Sequence, residues 1–177
     1  MNGEGGEQAR YIEIERDNLR VINIYAPNGN PADSEKYKYK LDWMDHLETY
    51  LKSLMADDVD FVIGGDFNII PESKDCYDPK SWEGDALFKL ESRQYYRRLI
   101  NMGLTDAYRV FDPGRDAYTF WDYQGGAWPQ NHGIRIDHFM LSPHCADRLK
   151  KCWIDKKPRN FEKPSDHTVI ALELAES

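Results

Sequence analysis

Long apolar runs are missing from these 177 residues, and so is any excess of positive charge. With a mean hydropathy of −0.75, no stretch approaches the roughly 18 apolar residues that a bilayer helix requires, so a membrane-spanning helix is excluded. Lys and Arg number 23 against 31 Asp and Glu, a net charge of −8. That balance argues against a basic nucleic-acid coat protein and against a polybasic membrane anchor; contact with nucleic acid would have to come from a local cluster. Only three cysteines are present, Cys76, Cys145 and Cys152. An odd, scattered set fits a reducing compartment better than a disulfide framework. His144 beside Cys145 lacks the paired spacing of a zinc site, and ordinary thiols are the plainer reading. The opening residues carry neither a basic n-region nor an apolar h-region, so no signal peptide is expected and the default address is cytoplasmic.

What is present suits one domain with a sizeable core. Residues 1–9 are glycine-rich and polar, and read as a flexible lead-in to a domain spanning 10–177. Tyr11 to Glu15 alternates with the period of a half-buried strand, Asp17-Asn18 makes a turn, and Arg20 to Tyr25 is β-rich, so the pair reads as a hairpin. From Ser34 to Met55 the apolar positions Tyr37, Leu41, Met44, Leu47, Leu51 and Leu54 form one helical stripe, with Asp33 or Ser34 as N-cap. Phe61-Val62-Ile63 running into Gly64-Gly65 reads as a buried strand ending in a tight loop. The next thirty or so residues, rich in Pro, Asp, Gly and Lys, read as a surface loop. Ser92 to Met102 has a helical pattern that Gly103 ends. Strands are expected over Tyr118–Trp121, Ile134–Leu141, Cys152–Asp155 and Thr168–Leu174, with a short helix near Cys145–Lys151. Helices covering mixed sheet layers, an α/β or α+β architecture, follow from this order.

Four stretches sit where strands end, the place where a sheet presents functional side chains. They are Asn23-Ile24-Tyr25-Ala26-Pro27-Asn28-Gly29, Gly64-Gly65-Asp66-Phe67-Asn68, Gly133-Ile134-Arg135-Ile136-Asp137-His138 and Pro164-Ser165-Asp166-His167. Singly, each has a bland reading. Asp66 and Asn68 could form Asx turns, Asp137 could pair with Arg135, Ser165-Asp166-His167 could open a strand, and Tyr25 could be core. Together they supply three carboxylates, an imidazole, an amide and a phenol. Carboxylate clusters bind Mg²⁺ alongside substrate phosphate, and a histidine oriented by a carboxylate can protonate or orient. Such parts suit metal-assisted phosphoester hydrolysis.

These stretches, with Tyr118-Thr119-Phe120-Trp121-Asp122-Tyr123 and Glu162-Lys163-Pro164-Ser165-Asp166-His167, resemble bacterial exonuclease III, that is, the abasic-site endonucleases of the endonuclease/exonuclease/phosphatase superfamily. The likeness runs from about Ala9 to Leu174. It implies a four-layer α/β sandwich, two mixed β-sheets flanked by helices. The implied activity is cleavage of double-stranded DNA beside abasic sites, with 3′ to 5′ exonuclease and 3′-phosphatase action, using Mg²⁺ or Mn²⁺. Carried over by motif, Asp66 resembles the residue that orients or deprotonates the attacking water, and Asn68 its partner. Tyr25 is similar to a phenol on the scissile phosphate, and His167 to an imidazole there, held by Asp137. Asp166 is similar to a metal-site carboxylate, with Asp66 and His167 beside it. Asn131 and Arg135 match positions that approach DNA, and Phe120 and Trp121 a wall that receives the baseless sugar; for these aromatics, sandwich core is the alternative. Lys36 and Lys40, interleaved with Tyr37 and Tyr39, are either phosphate contacts or a solvated helix face. Between Arg148 and Lys163, seven basic residues against two acidic ones give a local +5.

The resemblance also implies an opening segment with the first strands of one sheet and a Glu as principal metal ligand. Glu4, Glu7, Glu13 and Glu15 lie in the wrong contexts for that role. A partial sandwich with N-terminal strands missing, an incomplete metal site and a possible complementing N-terminal segment are therefore expected, in an otherwise monomeric protein. Two further readings stand beside the nuclease: a catalytically silent fragment that at most binds DNA, and a phosphatase of small phosphorylated molecules.

Overall fold

The computed structural model describes residues 8–112, 114 and 116–176, so most of the glycine-rich lead-in lies outside the described residues. β1 (Tyr11–Arg16) and β2 (Leu19–Tyr25) form the expected hairpin, which turns on Asp17 and Asn18, both at positive φ. α1 (Glu35–Ala56) follows, then β3 (Asp60–Asp66), α2 (Leu90–Asn101), β4 (Thr105–Asp106), α3 (Ala107–Phe111), β5 (Asp137–Leu141), α4 (Pro143–Asp147), β6 (Leu149–Asp155) and β7 (Val169–Leu174). Ser34 is the N-cap residue of α1, but its hydroxyl donates to the Pro31 carbonyl instead of capping.

Five strands make one mixed sheet in the order β1-β2-β3-β5-β4, in which only β2 and β3 are parallel. β6 and β7 form a separate antiparallel ribbon. The helices α1 and α2 cover one face of the sheet, where Met44, Leu47, Leu51, Tyr95 and Leu99 pack on Ile22, Ile24, Phe61 and Ile63. The opposite face meets the ribbon through Val62, Leu141 and Cys152, with Ile154, Ile170 and Leu172 partly buried against them. This is a mixed α/β fold of layered sheets and helices.

The ribbon covers only part of its face. Ile14, Val21, Val62 and Leu141 are register partners in one row across β1, β2, β3 and β5, and their exposures are 59%, 38%, 4% and 0%. The second layer therefore lies over β3 and β5, reaches β2 at Leu19, and leaves Ile14 and Val21 largely uncovered.

Elsewhere the chain departs from its sequence pattern. The polar stretch after Gly65 is no surface loop: Ile70, Cys76, Ala86, Leu87 and Phe88 bury against Tyr37, Ile134 and Ile136. Polar side chains make this possible by serving the backbone, as when Asn30 Oδ1 accepts from Ala86 N and Asp85 Oδ1 from Leu87 N. The buried residues are scattered singly among polar ones, so no period revealed them. The strand expected over Tyr118–Trp121 reduces to isolated bridges from Phe120 to Ile134 and His167, and the later strand begins only at Asp137. The helix expected near Cys145–Lys151 sits earlier, because Pro143 opens it and β6 takes over at Leu149. α3 had no apolar stripe long enough to announce it; the Asp106 side chain caps it by accepting from Tyr108 N and Arg109 N.

Candidate active site

One rung of the sheet carries three of the expected residues. Tyr25 ends β2 opposite Asp66, which ends β3, and Asp66 in turn pairs with Asp137, which opens β5. Neighbouring strands lie about 4.8 Å apart and register partners point to the same face, so a phenol and two carboxylates converge. The approach depends on Gly65, at φ +125°, where an added Cβ would lie 2.1 Å from the Ile24 carbonyl oxygen.

Asn68 locks the Asp66 carboxylate. Asp66 Oδ1 accepts from Asn68 N (2.8 Å) and Oδ2 from Asn68 Nδ2 (3.0 Å), while Nδ2 also donates to the Ala26 carbonyl (2.9 Å). Asn28 Nδ2 donates to Asn68 Oδ1 (3.2 Å). Asn68 has φ +49°, a left-handed conformation that Asn tolerates better than most residues.

His167 arrives from the other end of the chain. Thr168 N donates to the Thr119 carbonyl and Trp121 N to the Asp166 carbonyl, which fastens the entry of β7 to residues 119–121. Thr119 Oγ1 accepts from both Ile136 N and Asp137 N (3.1 Å each). Asp137 Oδ2 thereby comes 2.9 Å from His167 Nδ1, and Phe120 stands edge-on to the imidazole at 5.1 Å. With Nδ1 committed to Asp137, Nε2 is the nitrogen left for other chemistry.

Burial and the neighbouring Asp137 push the Asp66 carboxyl up to about 7, against the opposing pull of His167, the Asn68 N–H and Lys40. Burial works against charge on His167, but the Asp137 hydrogen bond and the charges of Asp137, Asp66 and Asp166 outweigh it and raise its pKa above the usual histidine range. A carboxyl poised near neutrality beside a histidine held by a second carboxylate is a base with an adjacent donor.

Comparison with known proteins shows where this arrangement belongs. The sequence model of the Endonuclease/Exonuclease/phosphatase family matches residues 3–167. The chain belongs to the endonuclease/exonuclease/phosphatase family. Exodeoxyribonuclease III of Haemophilus influenzae is 34% identical over 171 residues, covering 92% of this chain and 64% of that protein. A DNA-(apurinic or apyrimidinic site) endonuclease of Dictyostelium discoideum is 31% identical over 167 residues, covering 93% and 45%. The solved structure of the 3′ phosphatase NExo from Neisseria, bound to a product DNA hairpin, matches with a TM-score of 0.92 at 37% identity, covering 97% of this chain and 67% of that one. An AP endonuclease from Archaeoglobus fulgidus matches with a TM-score of 0.90 at 34% identity, covering 98% and 68%. The chain spans about half to two thirds of the length of these curated relatives.

For this family member three expectations about DNA contacts are corrected. Arg135 is 1% exposed: Nε pairs with Asp75 (2.6 Å) and Nη1 with Asp106 (2.9 Å), so the guanidinium is spent inside the protein. Lys40 is 0% exposed and donates to two backbone carbonyls, so it offers nothing to a phosphate outside. Trp121 is fully buried against Tyr118 and Trp128, with Nε1 donating to Asn131 Oδ1, and presents no face to a sugar. Phe120 is partly exposed, Lys36 and Asn131 are exposed, and Tyr25 is 53% exposed under the Arg10 guanidinium, so Tyr25 is not core. In the basic segment Arg159 is buried, donating to the Ser165 and Trp121 carbonyls, and Arg148 is held by Ala175 and Asp60. Lys151, Lys157 and Lys163 are exposed.

Among the described residues no group of three or more His, Cys, Asp or Glu side chains is placed to hold a metal ion. Asp66 already accepts from Asn68 with both oxygens, and His167 Nδ1 is held by Asp137. The donors present do not by themselves compose a divalent-cation site.

Asn28 and Thr119 were not singled out from sequence, though both lie inside quoted motifs. Lys40 did have a signal: Tyr37, Lys40, Met44, Leu47, Leu51 and Leu54 alternate by three and four, so the lysine interrupts an apolar stripe. His138 is the other hidden group. It is fully buried, its Nε2 donates to the Ile69 carbonyl (3.0 Å), and its Nδ1 has no hydrogen-bond partner among the described residues. Burial, then Arg135, pushes its pKa down to about 4. The unfolded chain, titrating near 6.5, takes the proton first, so stability is complete above about pH 6.5 and falls by about 3 kcal/mol as pH drops toward 4. Urea denaturation across this window should show the loss, and His138→Phe should flatten it; equal slopes in the two proteins would remove His138 as the cause.

Proposed function

We propose that this chain hydrolyses phosphodiesters of double-stranded DNA, incising at abasic sites and trimming 3′ ends, and the phosphomonoester of a 3′-terminal phosphate. The rung of Tyr25, Asp66 and Asp137, with His167 held on Asp137, carries this reading. Asp66 takes a proton from the attacking water while Asn68 fixes its orientation. The water oxygen bonds to phosphorus as the bond to the leaving deoxyribose oxygen breaks, and that oxygen takes a proton from solvent water to leave as the alcohol. His167 and the Tyr25 hydroxyl donate to the phosphate oxygens as negative charge builds there. Phe120, Lys36 and Asn131, all at least partly exposed, are the proposed DNA contacts.

The family is in general divalent-metal dependent, and Mg²⁺ or Mn²⁺ is the proposed ion, supplying Lewis-acid stabilisation of the phosphate when bound. Asp66, Asp166 and His167 would be this chain's contribution, and a donor beyond the described set would have to complete the site. The uncovered apolar row at Ile14 and Val21 supports a β-forming complementing segment as partner, with the chain otherwise monomeric. Three free, buried thiols support a reducing, cytoplasmic setting.

Among the described residues Asp66, Asp166 and His167 do not come together as a group placed to hold a metal ion, and this favours a second reading, a silent fragment that binds DNA without cutting. A labelled duplex with one abasic-site analogue, incubated with the purified chain and Mg²⁺, Mn²⁺ or a chelator, separates the two. Metal-dependent nicking at the lesion is the expected result. Binding without nicking would establish the second reading, and hydrolysis confined to phosphorylated lipids or inositols would replace both.

A further inference from the structure

Resting on the DNA-cleaving reading above, we infer that Lys40 is a positioning residue of the site, a buried amine clamp that holds the Asn28 and Asn68 loops together from beneath. Lys40 lies on the sheet-facing side of α1 and is completely buried. Its Nζ donates to the Asn68 carbonyl (2.5 Å) and to the Asn28 carbonyl (3.1 Å). The same two residues are also joined through their side chains, Asn28 Nδ2 to Asn68 Oδ1. Two carbonyl dipoles aimed at one point repel each other unless a donor sits between them, and Nζ occupies that place.

The fit around the stem is specific. An added Cβ at Gly29 would lie 2.7 Å from Lys40 Cδ, and Gly29 has φ +89°. The turn after Asn28 thus accommodates the lysine stem only because residue 29 has no side chain. Burying an ammonium is unfavourable, and a methionine would fill the volume without that penalty, so the polar tip answers a need other than packing. That need is the left-handed backbone of Asn68, whose Nδ2 and N–H fix both Asp66 oxygens. Without the clamp, Asn68 relaxes toward ordinary backbone and releases the carboxylate. Lys40 touches no substrate, and acts through Asn68.

The test compares wild type with Lys40→Met in the whole chain, by side-chain amide NMR of Asn68, by kcat and KM on the abasic duplex, and by the salt dependence of DNA binding. The Asn68 amide resonances should shift and broaden. The kcat should fall by roughly 10- to 100-fold, the scale of a small misplacement of a reacting group, with KM and salt slope unchanged. Lys40→Ala should regain part of the lost kcat with an added primary alkylamine. A raised KM and a shallower salt slope, with Asn68 unmoved, would overturn the inference and make Lys40 a phosphate contact. Should either variant fail to fold, the wild-type Nζ resonance decides: slow proton exchange and coupling to the Asn68 carbonyl support the clamp, and exchange at the rate of a free ammonium rejects it. If wild type cuts no DNA, the cleavage reading falls, while the resonances still judge the clamp.

Discussion

Arg135→Ala should destabilise the protein by about 3–5 kcal/mol, the loss found when one partner of a buried ion pair is deleted and the other remains. Asp75 and Asp106 are 1% and 7% exposed, so both carboxylates lose a buried cationic partner when the guanidinium is gone. Arg109 still pairs with Asp75, but among the described residues Asp106 keeps the hydrogen bonds of the Tyr96 hydroxyl and of the two N–H groups that it caps, with no cation paired to it. Burial alone would raise the Asp106 pKa; Arg135 and the other donors hold it below the usual carboxylate range. Wild-type stability from this pairing is therefore present above the unfolded pKa and is lost as pH falls through the folded one. The gap between wild type and variant should accordingly narrow below about pH 4. Urea midpoints measured at neutral and acid pH check both statements. A loss under about 1 kcal/mol, with weakened DNA binding instead, would return Arg135 to the surface role its motif suggests.

Asp66→Asn should lower DNA cleavage by about 10² to 10⁴, the usual contribution of a positioned base. The amide keeps the size and one acceptor oxygen, so the contact with Asn68 N can persist while the capacity to take a proton is lost. Stability should move the other way. The Asp66 carboxylate is buried beside Asp137, and its raised pKa means that ionisation opposes folding at neutral pH and above. Removing the charge should leave the chain at least as stable as wild type. Single-turnover cleavage together with thermal melting separates these effects, and near-wild-type rates would take the base role from Asp66.

The places where strands end were legible in the sequence because a β-rich run followed by glycine and a polar residue has few other readings. That put Tyr25, Asp66, Asp137 and His167 on a short list, but nothing local said that Tyr25, Asp66 and Asp137 share a rung, since register is set by pairing across the sheet. Arg135 and Lys40 were misplaced for a related reason. A charged residue is usually exposed, and the partners that let these two go inside, Asp75 and Asp106 for one and the Asn28 and Asn68 carbonyls for the other, are distant along the chain. Phe120 and Trp121 illustrate a finer limit. Adjacent aromatics in an extended segment point to opposite sides, so one lies on His167 and the other is sealed under Trp128, and composition cannot tell which.

Because Tyr25, Asp66 and Asp137 stand on one rung of the central sheet, their backbone spacing is set by the strand ladder, while the loops that carry Asn68 and Thr119 orient the carboxylates. Changes around Asn131, Phe120 or the start of α1 can alter which phosphodiester is admitted without altering how far the proposed base stands from the carboxylate that orients His167. Under the proposed reading, the backbone spacing of the reacting groups and the exposed rim at Lys36 and Asn131 lie on separate parts of the molecule and can drift independently over evolution. A scaffold divided in this way can pass among substrates by remodelling its rim, with the reacting groups left in place.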